Sequence, residues 1–163
     1  MRLVVLALFV IGSSFTAPAV AQGLLAKPTV QHAAVAGSTS APGTAPGGTL
    51  TLWADVTPQP AIHIYAAGAR DFTPVSLALT PGRSMKAGRP TYPKPDVATA
   101  PGSLDAVPAY KLPFRIAVPV TIAPTAKAGE TLTITGAVTY QACDDHLCYP
   151  VAVAPITWQV PVR

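Results

Sequence analysis

The chain carries two cysteines, five positions apart, in the run Tyr140-Gln141-Ala142-Cys143-Asp144-Asp145-His146-Leu147-Cys148-Tyr149-Pro150. Three uses fit so close a pair: a local staple, a metal clip or a redox couple. As a staple it is weak. A disulfide stabilises mainly by restricting the unfolded chain, and a closed loop this short is worth about 2 kcal/mol at 25 °C. A bridge meant to hold a domain together would gain more by linking distant strands. As a redox couple, the pair is shaped by its neighbours. Asp144 and Asp145 place negative charge beside the sulfurs and disfavour a thiolate, whereas a self-activated thiol sits in positive surroundings. Reactivity is therefore expected to depend on a docked partner, with His146 offsetting the acids when protonated. As a metal clip, Cys143, His146 and Cys148 offer two sulfurs and a nitrogen, suited to copper(I), with His63 or His32 as a further ligand. Against this stand the absence of a methionine cluster and a spacing unlike a zinc finger.

The segments that must position the pair read as strands. Thr131 to Tyr140 alternates, with Leu132, Ile134, Gly136 and Val138 on one face, and Val151 to Val162 forms a second strand after the cysteines. The four residues between the cysteines fit a hairpin loop, which sets the two side chains facing each other across the ladder. Facing Cβ atoms lie about 4.5–5.5 Å apart and a disulfide prefers about 3.8 Å, so a bond is feasible with some strain expected. Upstream, Thr49 to Val56 alternates, with Leu50, Leu52, Ala54 and Val56 on one face. Ile62 to Tyr65, Pro74 to Thr80 and Lys111 to Val120 are further strands, and Lys27 to Ala34 reads as a first edge strand. Residues 36–48 are small and turn-forming, and read as a flexible loop. Residues 82–110, with prolines at 90, 93, 95, 101 and 108, read as one long irregular loop.

Composition agrees with strands. The chain holds 19 prolines, and each costs about 3 kcal/mol inside a helix. About seven short strands with turn signals between them predict an all-β chain, an immunoglobulin-like antiparallel β-sandwich with Trp53, Trp158 or both in its core. At the start, Met1 and Arg2 precede the apolar run Leu3 to Ile11, and Ala19-Val20-Ala21 supplies a processing site. This is the layout of a secretory signal, with an apolar run too short to span a bilayer. Residues 1–21 are expected to be cleaved and residues 22–163 to form a single exported domain without stable membrane insertion. That domain would carry ten basic residues against seven acidic ones. The basic residues are scattered with no interleaved aromatics, which argues against nucleic acid as a partner. No G-x-S-x-G or other nucleophile motif points to a hydrolase.

The hairpin residues Val138-Thr139-Tyr140-Gln141-Ala142-Cys143 and Cys148-Tyr149-Pro150 resemble the active site of the N-terminal periplasmic domain of DsbD-type thiol:disulfide interchange proteins. Ile62-His63-Ile64-Tyr65, Pro74-Val75-Ser76-Leu77 and Lys111 to Val120 are similar to weaker blocks of the same pattern. The resemblance spans roughly residues 27–162 and implies an immunoglobulin-like fold and a periplasmic location. It implies that Cys143 and Cys148 are the redox pair, with Cys148 forming the mixed disulfide and Cys143 resolving it, and needs no bound cofactor. Tyr140, Tyr149 and Pro150 would shape the docking surface. The partners implied are thioredoxin-like periplasmic proteins and a membrane thiol transporter, a separate electron donor for a chain that would act as one component of a protein-disulfide reductase. The sequence departs from the family in having four residues between the cysteines, in Val151 after Pro150, and in lacking a Phe-Tyr cap pair between Pro95 and Tyr110. The alternatives are a non-redox binding sandwich, presenting residues 82–110 beside a permanent hairpin disulfide, and a copper-binding protein.

Overall fold

The computed structural model describes residues 30–102 and 104–163. The expected leader, residues 1–21, lies outside them. Every regular element among the described residues is a strand: β1 (Ala33–Thr39), β2 (Thr49–Pro58), β3 (His63–Tyr65), β4 (Ser76–Leu79), β5 (Met85–Ala87), β6 (Asp96–Thr99), β7 (Ala106–Tyr110), β8 (Phe114–Ile122), β9 (Thr131–Tyr140), β10 (Ala142–Cys143) and β11 (Ala152–Pro161). No helix among the described residues is long and apolar enough to cross a membrane.

The alternation in the sequence sets the main sandwich. Leu50, Leu52, Ala54 and Val56 of β2 are buried, as are Ile116, Val118, Val120 and Ile122 of β8, which pairs with β2 from Thr49↔Thr121 to Val56↔Phe114. These strands lie at the centre of a sheet ordered β1-β2-β8-β5. Their inner face shares one core with Ile134, Val138 and Tyr140 of β9, Leu77 of β4, and Ala154, Ile156, Trp158 and Val160 of β11. Those three strands form the second sheet, ordered β11-β9-β4. All strand pairs are antiparallel, and the architecture is an immunoglobulin-like β-sandwich. Trp158 is the core tryptophan, its indole N–H donating to the Trp53 carbonyl at 2.9 Å. Trp53 lies on the outer face, where the Arg115 guanidinium sits 4.2 Å from its ring centroid and pairs with Asp55 at 2.6 Å.

Two expectations are corrected. Residues 36–39 are not part of a flexible loop; they continue β1 and pair with β2 from Ala36↔Asp55 to Thr39↔Leu52. The strand expected over 27–34 thus runs later, its first residues, 27–29, lying outside the described set. Gly37 serves close approach here: a Cβ on it would stand 2.8 Å from the Thr157 carbonyl oxygen and 3.0 Å from the Trp158 indole nitrogen. Residues 82–110 are not one irregular loop either. They contain β5, which pairs with β8, and β6 and β7, which pair with each other. These strands are three to five residues long, too short to show period two. Proline also hides them: Pro108 sits inside β7, where its lack of an N–H is tolerated and its carbonyl accepts from the Ala66 N–H at 2.9 Å.

β6, β7, β3 and β10 make a third, smaller sheet, ordered β10-β3-β7-β6. It has its own cluster of buried side chains, Tyr65, Ala98, Ala100, Val107, Ala109 and Cys143. One of the two cysteines is therefore built into this satellite core and not into the main one.

Gly136, expected on the inner face of β9, marks a second close approach. A Cβ there would meet the Ala78 carbonyl oxygen at 2.6 Å and the Trp158 ring at 3.3 Å. Since backbone cannot yield cheaply, Gly136→Ala is predicted to destabilise the domain by about 1–3 kcal/mol. Urea denaturation followed by tryptophan fluorescence reads this as a lower midpoint, and an unchanged midpoint would contradict it.

Candidate redox site

β9 and β11 are paired up to Tyr140↔Ala152. Beyond Tyr140 the chain changes partner. Gln141 intervenes, and β10 pairs with β3 in the smaller sheet, Ala142 opposite Ile64 and Cys143 opposite His63. Cys143 also faces Cys148 across an isolated antiparallel bridge, closed by the Tyr149 N–H on the Ala142 carbonyl at 2.8 Å. The cysteines are joined in a disulfide, S–S 2.00 Å and Cα–Cα 4.0 Å.

The tip is organised by Asp144. Its Oδ1 accepts the backbone N–H groups of His146 at 2.7 Å and Leu147 at 2.9 Å, and its Oδ2 accepts the Tyr149 hydroxyl at 2.7 Å. These bonds, the tyrosine's first, hold the Asp144 carboxyl at about 2. The same carboxylate pushes the Tyr149 phenol up. Asp144 is thus a loop-capping residue as well as a negative charge beside the sulfurs. His146 is exposed at the tip.

The two sulfurs differ in access. Cys143 has no exposed surface, whereas Cys148 is half-buried. Over Cys148 lies the Tyr65 hydroxyl, 3.7 Å from its Sγ, and the Phe72 ring stacks on Tyr65 at 4.1 Å between centroids. Phe72 packs against the same cluster as both cysteines. It stands on a loop, residues 66–74, whose ends are drawn together by the Val75 N–H on the Tyr65 carbonyl at 2.8 Å. Gln141 fastens this loop to the hairpin: its Oε1 accepts the Thr73 N–H at 2.9 Å, and its Nε2 donates to the Tyr149 carbonyl at 3.4 Å. Asp71, next to Phe72, has φ +64°, a left-handed conformation uncommon for a residue with a side chain. An open cleft of about 580 Å³ separates the loop from Ala100, Pro101 and residues 105–108 and is lined by Arg70, Asp71, Phe72 and Val107 among others.

Residues 31–158 match the family described as the N-terminal part of the thiol:disulfide interchange protein DsbD. The chain belongs to this DsbD N-terminal family. Among solved structures, the N-terminal periplasmic domain of ScsB from Proteus mirabilis is similar at TM-score 0.53 and 13% identity, over 85% of this chain and 49% of that one. The reduced N-terminal domain of Neisseria meningitidis DsbD is similar at TM-score 0.47 and 13% identity, over 78% of this chain and 85% of that one. No curated protein matches in sequence.

The positions singled out in the sequence fare unequally. Cys143 and Cys148 meet as expected. Tyr149 is half-buried and stacks on His32 at 3.7 Å, and Pro150 is exposed. Tyr140 is corrected: with no exposed surface and its hydroxyl donating to Gln31 Oε1 at 2.9 Å, it is a core residue and lines no docking surface. The Phe-Tyr pair missing between Pro95 and Tyr110 has a counterpart in Phe72 and Tyr65, the Tyr65 hydroxyl beside Cys148 Sγ and Phe72 stacked on the Tyr65 ring. The readable signal was Tyr65 two positions after His63 on an alternating strand, followed by a Gly-containing loop that carries Asp71-Phe72. Among the described residues, no group of three or more His, Cys, Asp and Glu side chains is placed to hold a metal ion. The three histidines are placed apart: His32 stacks on Tyr149, His146 is exposed at the tip, and His63 lies opposite Cys143 in the β3–β10 ladder.

If Phe72 shields the disulfide, Phe72→Ala is predicted to speed its reduction by dithiothreitol severalfold while leaving the circular dichroism spectrum unchanged. An unaltered rate would show that the ring gives no protection.

Proposed function

We propose that this domain is a periplasmic dithiol–disulfide exchange module that passes reducing equivalents between thioredoxin-like proteins through Cys143 and Cys148. The observation that carries the reading is the unequal burial of one bonded pair in a chain of this family: Cys148 half-buried at a hairpin tip, Cys143 with no exposed surface behind it. This difference in burial favours Cys148 as the attacked sulfur and Cys143 as the resolving one.

In the reducing half-reaction, a partner thiolate attacks Cys148 Sγ. The Cys143–Cys148 bond breaks, Cys143 leaves with the electron pair and takes up a proton, and a partner–Cys148 mixed disulfide forms. The partner's second thiol then attacks its own bridged sulfur and releases Cys148. Two electrons and two protons move from the partner dithiol to this domain, with no bound cofactor. Run in reverse against a second protein, the same steps deliver them. A membrane thiol transporter with a thioredoxin-like domain is the proposed donor. Leu147 and Val151, exposed apolar side chains on either side of Cys148, give a partner something to bury. The location rests on the leader-like residues 1–21 and on the preference of disulfides for oxidising compartments.

Cys148→Ser is predicted to abolish exchange with thioredoxin-like proteins while keeping the fold. Cys143→Ser, which leaves the accessible sulfur and removes the resolving one, is predicted to trap a mixed disulfide visible on a non-reducing gel. Trapping by Cys148→Ser in place of Cys143→Ser would reverse the assigned roles, and trapping by neither would refute the exchange.

A further inference from the structure

His63 is not used in the reaction above, yet its position is unusual. It is 4% exposed, and its Nε2 is buried with no hydrogen-bond partner among the described residues. Interiors satisfy nearly all such atoms, so an unpaired one calls for an explanation. His63 stands directly opposite Cys143 in the β3–β10 ladder, where facing Cβ atoms are about 4.5–5.5 Å apart. It shares a strand face with Tyr65, whose ring it meets edge-on at 5.3 Å and whose hydroxyl lies beside Cys148 Sγ.

Cys143, when reduced, would be a thiol with no exposed surface. Its proton has no direct route to water, and releasing it would leave a buried thiolate beside two aspartates. The Asp144 carboxylate already accepts three hydrogen bonds. Tyr65 cannot serve as a base near neutrality, because burial pushes its phenol up. We propose that His63 is the proton acceptor for Cys143, taking the thiol proton as Cys143 attacks the mixed disulfide at Cys148. This rests on the exchange reaction proposed above.

The Cys143 proton passes to His63 Nε2 while Cys143 Sγ bonds to Cys148 Sγ. The bond from Cys148 to the partner breaks, and the partner leaves as a thiolate with the electron pair. This domain's dithiol is oxidised by two electrons and the partner is reduced. A pocket of about 240 Å³ lined by Ala61, Ile62, His63, Lys111 and Asp145 gives the proton a way out. In the opposite direction, protonated His63 returns the proton to the departing Cys143. Burial, the largest influence, lowers the His63 imidazole from its ordinary value; Asp145 opposes this, Lys111 adds to it and Asp144 opposes it again. Together with Tyr65 and Cys143 these are the ionisable groups that bear on it, and their balance keeps it neutral and able to accept at neutral pH.

The test uses reduced protein and excess dithiobis-nitrobenzoate. Cys148 releases one nitrothiobenzoate in a phase that depends on reagent concentration. Cys143 releases a second in a first-order phase. For the wild type, that second phase is expected to change little between pH 7 and 8 and to fall only as His63 becomes protonated, below the ordinary imidazole value of about 6.5. His63→Gln is expected to slow it about 100-fold at pH 7 and to make it rise about tenfold per pH unit, as free thiol ionisation does. The first phase should be unaffected. A second phase in His63→Gln with wild-type rate and pH dependence would overturn the inference and leave the exchange reading standing. If the variant does not fold, the wild-type profile decides: a rise of about tenfold per unit through neutrality, the signature of an unassisted thiol, overturns it. A wild-type protein that releases no second equivalent would overturn the exchange reading itself.

Discussion

After Tyr140 the chain stops pairing with β11 and pairs with β3 instead. The rest of the site depends on that exchange of partners. Had β9 and β11 simply continued to a tight turn, both cysteines would have stood on a solvated hairpin with nothing behind them. Because β10 joins the smaller sheet, Cys143 enters a cluster made by Tyr65, Ala98, Ala100, Val107 and Ala109, while Cys148, across the ladder, stays near the surface. One covalent bond thereby joins an enclosed cysteine to a half-buried one, and the difference follows the change of strand pairing.

Gln141 makes the change of partner consequential. Its side chain bonds both to the residue after Phe72 and to the residue after Cys148. The aromatic loop and the hairpin are fixed to each other through one amide, so a partner that displaces the hairpin acts on the loop as well. Asp144 does the equivalent work at the tip, where three donors converge on one carboxylate. A short disulfide loop contributes little to global stability, about 2 kcal/mol by the chain-entropy relation. The polar bonds around it are spent on placing the sulfurs.

The long alternating strands were legible because each buries one face: β2, β8, β9 and β11 all show period two in sequence and in burial. The facing cysteines were legible because four intervening residues suit a hairpin. The third sheet was not, since β5, β6 and β7 are too short for periodicity and proline-bearing segments read as loop. Residues 36–39 misled for a related reason, their small side chains serving close packing against Trp158 at Gly37 and not flexibility. The site suffered most where contacts are long-range. Phe72 lies more than seventy positions from the cysteines whose cluster it packs against, and Tyr140, part of the recognisable motif, is core because its strand faces the sandwich interior at that point.

In the function proposed here, this disulfide is opened and closed by other proteins. The equilibrium reduction potential of the Cys143–Cys148 pair, measured in a thiol buffer of known poise, tests it most directly. A value above about −300 mV, within reach of thioredoxin-like donors, is expected. A value well below that, with the bond intact in every physiological reductant, would contradict it and leave a permanent hairpin staple.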